Sequence, residues 1–193
     1  MDSYYEKIKK FNSKKNYEDD IKSAKLLLQY CIDNSKKKKV FFIGTGLGGD
    51  IKIVKGIKNI EVTGVEPRET FQDSAEKVYK KIGGKLLKMN LGQFSKTKKL
   101  SGIFMFIHSI NHITKKELEQ LQKACVNSYF IIINPNPEIE KVIGKTDDTV
   151  ISYLKMNDIK KILKTTMIFD YFYSPIQIKK REIFLREIIL LKN

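Results

Sequence analysis

The sequence predicts an α/β protein, in which a mostly parallel seven-stranded sheet lies between helical layers and ends in an antiparallel strand pair. Three observations carry this expectation. Short apolar runs alternate with stretches of helical spacing between residues 40 and 133. Strands apolar on both faces belong in a parallel sheet covered by helices. The first such run, Val40-Phe41-Phe42-Ile43, enters a glycine-dense turn, Gly44-Thr45-Gly46-Leu47-Gly48-Gly49-Asp50. The chain then closes on two β-rich runs with only a loop between them, and a parallel pair would need a crossover element there.

Each element follows in order. Residues 4–11 and 17–32 read as two short helices, the second with Ile21, Ala24, Leu27 and Leu28 at helical spacing and Asn16 as its cap before Glu18-Asp19-Asp20. They form an N-terminal helical cap over residues 1–35. Residues 36–193 form the core, and the whole is expected to be one domain. Lys36-Lys37-Lys38-Lys39 is a solvated connection. A helix begins at 50–55, and the second strand, 61–65, ends at Glu66-Pro67. Residues 68–82 are helical, with Phe71, Ala75, Val78 and Ile82 on one face. A third strand at 85–89 follows Gly83-Gly84, and the fourth is 103–107. Thr114 caps a helix over 115–126, and the fifth strand, 129–133, stops at Asn134-Pro135-Asn136-Pro137. A short helix at 157–163 precedes the terminal runs, 166–173 and 183–191. Their loop holds Pro175 and Lys179-Lys180-Arg181.

The bulk properties set bounds. A content of 41% hydrophobic and 31% charged residues is that of a globular chain. The longest apolar runs fall far short of a membrane span, and no signal-peptide pattern opens the sequence. Cys31 and Cys125 make no metal or redox spacing and read as buried or half-buried thiols in a reducing, cytoplasmic setting, with no metal expected. The net charge of +15 is almost entirely lysine, since Arg68, Arg181 and Arg186 are the only arginines. Arginine is the residue suited to bidentate phosphate and base contacts. The excess is therefore weak evidence for specific nucleic-acid reading and leaves non-specific attraction to polyanions open.

The glycine turn satisfies two templates. Gly44, Gly46 and Gly49 fit the G-x-G-x-x-G dinucleotide fingerprint; Gly44, Gly46 and Gly48 fit the G-x-G-x-G of methyltransferases. Glu66 closes the second strand about twenty residues on, where a carboxylate takes ribose hydroxyls. Both templates want that carboxylate, so it indicates a ribose-bearing cofactor without choosing one. The antiparallel ending and a length too short for a dinucleotide domain plus a catalytic domain favour the second template.

From Val40 onward the sequence resembles the class I S-adenosylmethionine-dependent methyltransferases, whose fold is a Rossmann-like three-layer sandwich. Val40-Phe41-Phe42-Ile43-Gly44-Thr45-Gly46-Leu47-Gly48 is similar to that family's first motif, and Val62-Thr63-Gly64-Val65-Glu66-Pro67 to its second. Lys88-Met89-Asn90-Leu91 stands where the family holds adenine, with Asn90 at a usually acidic position. The stretch from Ser101 to Ile113 resembles the fourth strand and its loop. The resemblance implies S-adenosyl-L-methionine as cofactor, held by Gly44, Thr45, Gly46, Gly48, Glu66, Pro67, Asn90, Leu91 and His108. In layout the chain is most similar to small-molecule N-methyltransferases of the histamine-methyltransferase kind. Phe42 and Gly102 depart from the family, which often has acidic residues at both positions.

His108 and His112, the only histidines, flank the end of the fourth strand. His108 is the catalytic candidate, in contact with the acceptor or taking its proton, against the plainer role of bonding backbone or packing on the adenosine. Asn111, His112, Tyr4 and Tyr5 are the acceptor-side candidates. Asn134-Pro135-Asn136-Pro137 is superficially similar to the N-P-P-aromatic motif of adenine-N6 methyltransferases, but follows the wrong strand and reads as a turn. The expectation is methyl transfer to N or O of a small molecule. An RNA or protein acceptor, motivated by the lysines, and a non-catalytic binding module, motivated by Phe42 and Gly102, are the alternatives.

Overall fold

The computed structural model describes residues 14–96, 99–135, 154–178 and 181–193. Seven strands form one sheet in the order β3-β2-β1-β4-β5-β7-β6. They are β1 (Lys39–Ile43), β2 (Glu61–Val65), β3 (Lys85–Leu87), β4 (Ile103–Ile107), β5 (Tyr129–Pro135), β6 (Thr166–Ile178) and β7 (Arg181–Lys192). β1 to β5 are mutually parallel where they pair, β7 runs antiparallel to β5, and β6 antiparallel to β7. The terminal antiparallel pair is as the sequence predicts.

Alternate residues of the strands feed two cores. Phe41, Ile43, Phe104, Phe106, Phe130, Ile132, Ile189 and Leu191 face one side, with helices α3 (Leu91–Phe94), α4 (Lys115–Ala124) and α5 (Met156–Leu163) over them. Val40, Phe42, Ile103, Met105, Ile131, Ile133, Ile188 and Leu190 face the other, covered by α1 (Lys14–Ser35) and α2 (Glu69–Lys80). This two-sided burial is why the strands read as unbroken apolar runs. Thr114 caps α4 as expected, in a capping box with Glu117.

Several expectations are corrected. Residues 4–11 lie outside the described part. The second helix already includes Lys14, the first described residue, so Asn16 is inside it rather than at its cap and Asp20 is well past the first turn. Residues 49–54 form a 3-10 turn. α2 stops at Lys80 and buries Ala75 and Tyr79, leaving Ile82 46% exposed. The reason is Gly64, where an added Cβ would come within 2.6 Å of Tyr79 Cζ: the phenol ring fills the space the missing side chain leaves. β3 ends at Leu87. β5 runs on through Asn134 and Pro135 because β7 pairs with them at Glu187 and Arg186. The terminal strands also lengthen, and Pro175 sits in β6, an edge strand where a proline is tolerated.

The strand order reverses between β1 and β4, whose carboxyl ends open a crevice. That switch point is where α/β sheets bind ligands. Among the described residues no helix is long and apolar enough to cross a membrane.

Candidate functional site

The crevice is a cavity of about 210 Å³ whose lining includes Gly44 and Gly46 after β1, Glu66 and Pro67 after β2, Asn90 and Leu91 after β3, and His108 and His112 after β4. Loops from four strands thus bring together eight residues that the sequence singled out. Arg68, Phe71, Ser109, Ile113 and Glu117 also line it and were not anticipated. Arg68 lies over the Phe71 ring, 5.7 Å from its centroid.

The loop after β1 depends on glycine at two places. Gly44 has φ +69°, and a Cβ there would sit 2.8 Å from Ser109 Cβ, so the turn can pass the β4 loop only without a side chain. Gly48 has φ +84° and lies against Ala75 Cα in α2, where an added Cβ would be 3.3 Å away. Its role here is packing of the loop onto the helix, and it does not line the cavity. Gly46 presents bare backbone to open space.

Glu66 holds the crevice together. Its side chain is buried, at 2% exposure, and Oε2 accepts the Gly46 N–H at 2.7 Å while Oε1 accepts the Arg68 N–H at 2.9 Å. Each carboxylate oxygen offers two lone-pair sites, so among the described residues each keeps one for a ligand hydroxyl. Phe42, at the family's usual acidic position, is buried and meets Tyr79 edge-on at 6.4 Å. One amide of the loop, that of Gly46, is bonded by Glu66. Gly102 has an equally plain packing reason, since a Cβ there would lie 2.6 Å from the Lys39 carbonyl oxygen.

Asn90 caps α3. Its Oδ1 accepts the Gln93 N–H at 2.8 Å, and its own N–H donates to Gln93 Oε1 at 3.0 Å. Thr45 is buried beneath the loop, its hydroxyl toward that of Tyr79, and the Ser109 hydroxyl is buried without a hydrogen-bond partner among the described residues. Asn111 is turned away from the cavity lining and accepts from Asn134 Nδ2 at 3.2 Å. Tyr4 and Tyr5 lie outside the described residues.

His108 stands at the mouth of the sheet with φ +56°, a strained value for a non-glycine residue. Two bonds hold it there: its N–H donates to the Ile133 carbonyl at 2.8 Å, and its Nε2 lies 2.8 Å from Asp20 Oδ2. Asp20 was missed by sequence reasoning. The usable signal was spacing, since Asp20 continues the buried face of α1 formed by Ala24, Leu28 and Cys31. It lies 1% exposed and also receives Arg186 Nε at 3.3 Å and the Tyr173 hydroxyl. Burial pushes the Asp20 carboxyl up, but hydrogen bonding and charge from His108, the charge of Arg186 and the Tyr173 bond outweigh it and hold it below the usual range. Asp50 in the neighbouring 3-10 turn is pushed up to about 7 by burial and by the charge of Asp20.

The architecture recurs in solved structures. The chain is similar over its full length to a SAM-dependent methyltransferase from Archaeoglobus fulgidus, with 19% identity, complete coverage of both chains and a TM-score of 0.69. It is similar to the N-methyltransferase NodS from Bradyrhizobium japonicum WM9 at 10% identity, covering 89% of this chain and 94% of that one, with a TM-score of 0.63. The plantazolicin methyltransferase BpumL, solved in complex with SAH, gives 18% identity, coverage of 92% and 86%, and a TM-score of 0.62. No family model matches the sequence, and no curated protein matches it. The fold is the Rossmann-like methyltransferase fold, with its antiparallel C-terminal pair.

Proposed function

We propose that this chain is an S-adenosylmethionine-dependent methyltransferase whose acceptor is a small molecule. The observation that carries the reading is Glu66: a buried carboxylate at the end of β2, in the switch-point crevice, with a lone pair free on each oxygen. That is the group a ribose diol requires.

The residues present fit the cofactor. Glu66 would take the ribose hydroxyls, with Pro67 beside it, and Asn90 and Leu91 would border the adenine. Gly44 and Gly46 offer backbone to the methionine part. The bound cofactor would supply an activated methyl group on a sulfonium. The chain's own task is to align the acceptor and exclude water, an effect worth up to roughly 7–11 kcal/mol. His108, in the same crevice, is the candidate to contact the acceptor.

The lining also supports a small acceptor. Among the described residues it contains Arg68 together with Glu66 and Glu117. Among the described residues no lysine lines this crevice, which weakens the main motive for a nucleic-acid acceptor. Packing accounts for Phe42 and Gly102, which weakens the motive for a non-catalytic module.

Isothermal titration with S-adenosylmethionine and its demethylated product tests the reading. Both should bind the wild type, and Glu66→Ala should weaken both. An absence of binding to the wild type would refute it.

A further inference from the structure

Behind His108 lies a buried carboxylate that methyl transfer alone does not call for. Three donors from distant parts of the chain converge on Asp20: His108 Nε2 and Arg186 Nε on Oδ2, and the Tyr173 hydroxyl on Oδ1. A carboxylate this deeply buried stays ionised only when so surrounded. An ionised carboxylate can only accept, so the His108 nitrogen that faces it carries a proton. In the neutral ring the other nitrogen, Nδ1, then holds a lone pair. The imidazole is partly open, at 31% exposure, and borders the crevice shared by Gly44, Gly46 and Glu66.

We propose, resting on the methyltransferase reading, that Asp20 is a positioning residue that sets His108 as general base, and that the acceptor therefore carries a proton on its nucleophilic atom. A hydroxyl or a primary or secondary amine fits; a tertiary amine or a thioether does not use the arrangement. For a hydroxyl, the oxygen forms its bond to the methyl carbon as the carbon–sulfur bond breaks, with that electron pair going to sulfur. The hydroxyl proton passes to His108 Nδ1. The imidazolium so formed lies 2.8 Å from Asp20, whose charge stabilises it while remaining unprotonated itself.

The competing role for Asp20 is a latch that ties α1 to the sheet, and the test separates the two. In protein labelled with 15N-histidine only two imidazoles report, and His108→Ala identifies one of them. The wild-type His108 ring should carry its proton on Nε2, far downfield and slow to exchange, with Nδ1 unprotonated. Asp20→Asn should move that proton upfield and speed its exchange about tenfold or more, because the charge-assisted bond is lost. Tyr173→Phe removes a different donor from Asp20 and should keep the signature, which controls for a general loosening of the fold. Methyl transfer is then followed across phenols and primary amines paired with tertiary amines and thioethers. Asp20→Asn should lower kcat about 100-fold with KM little changed. A proton on Nδ1, an Asp20→Asn ring spectrum identical to wild type, or equal turnover of tertiary amines would overturn the proposal. Calorimetry on the same samples distinguishes this failure from that of the underlying reading, which is marked by wild-type protein that does not bind cofactor.

Discussion

Asp20 in α1 and His108 after β4 meet at 2.8 Å across 88 residues of chain, and the contact ties the N-terminal helix to the mouth of the sheet. Neither residue is comfortable alone: one is a carboxylate out of water, the other a histidine with left-handed backbone. Together each holds the other in place. The helix over this face is thereby part of the site's geometry, since its Asp20 orients a side chain bordering the cavity.

Glu66→Gln keeps the shape of the side chain and replaces one accepting oxygen by a donor that faces either the Gly46 or the Arg68 N–H. Hydrogen bonds to charged groups are worth about 1.5–3 kcal/mol. Cofactor affinity should therefore fall roughly tenfold to a hundredfold, read by calorimetry. Equal affinities would move the ribose contact elsewhere.

Gly102→Ala forces a methyl to within 2.6 Å of the Lys39 carbonyl and 2.8 Å of the Phe41 ring, between β1 and β4. Overpacking of this kind costs about 1–3 kcal/mol. At this chain length each kcal/mol lowers Tm by about 2–4 °C. Gly46→Ala meets no such obstacle and, besides a strain of about 1–2 kcal/mol at φ +52°, sets a methyl on the cavity lining, so its distinguishing effect should be on cofactor binding. Thermal melts and titrations on the two variants should show opposite emphases.

The strands were legible because burial on both faces leaves a composition signal that needs no tertiary knowledge. Glu66 was legible for a related reason: its position at a strand end and its spacing from the glycines are local. What escaped was set by partners far away in sequence. Ile82 completes a helical face by periodicity, yet Gly64 gives that space to Tyr79. Asp20 was hidden by Glu18 and Asp19 beside it, which made an acidic triplet look like the first turn of a helix. Its partners His108, Tyr173 and Arg186 lie on three other elements. Gly102 looked like a missing acid, and only the approach of β1 shows why nothing larger fits.

Cys31 and Cys125 are buried, and burial pushes both thiols up to about 12. The thiolate is the reactive form. Native protein should react with a thiol reagent only as fast as it opens, so labelling of the two sites should accelerate together as denaturant is added. Rapid labelling of either site in native buffer would contradict their placement.

Stability should decline as pH rises from about 5 to 8. Burial, then the charge of Asp170, pushes Glu187 up to about 7; burial, then Asp20, does the same for Asp50. An unfolded carboxyl titrates near 4. Between about 4 and 7 the folded state therefore binds more protons than the unfolded one, and the slope of unfolding free energy with pH is negative there. The contribution is complete below the unfolded value and lost as pH passes the folded one. Asp20, held below the usual range, acts oppositely and matters only as pH falls under about 4. Melting temperature measured from pH 5 to 8.5 should drop by a few degrees. Glu187→Gln and Asp50→Asn should each flatten the curve and raise Tm at its alkaline end relative to wild type. A wild-type slope retained in both variants would place the titration on other groups.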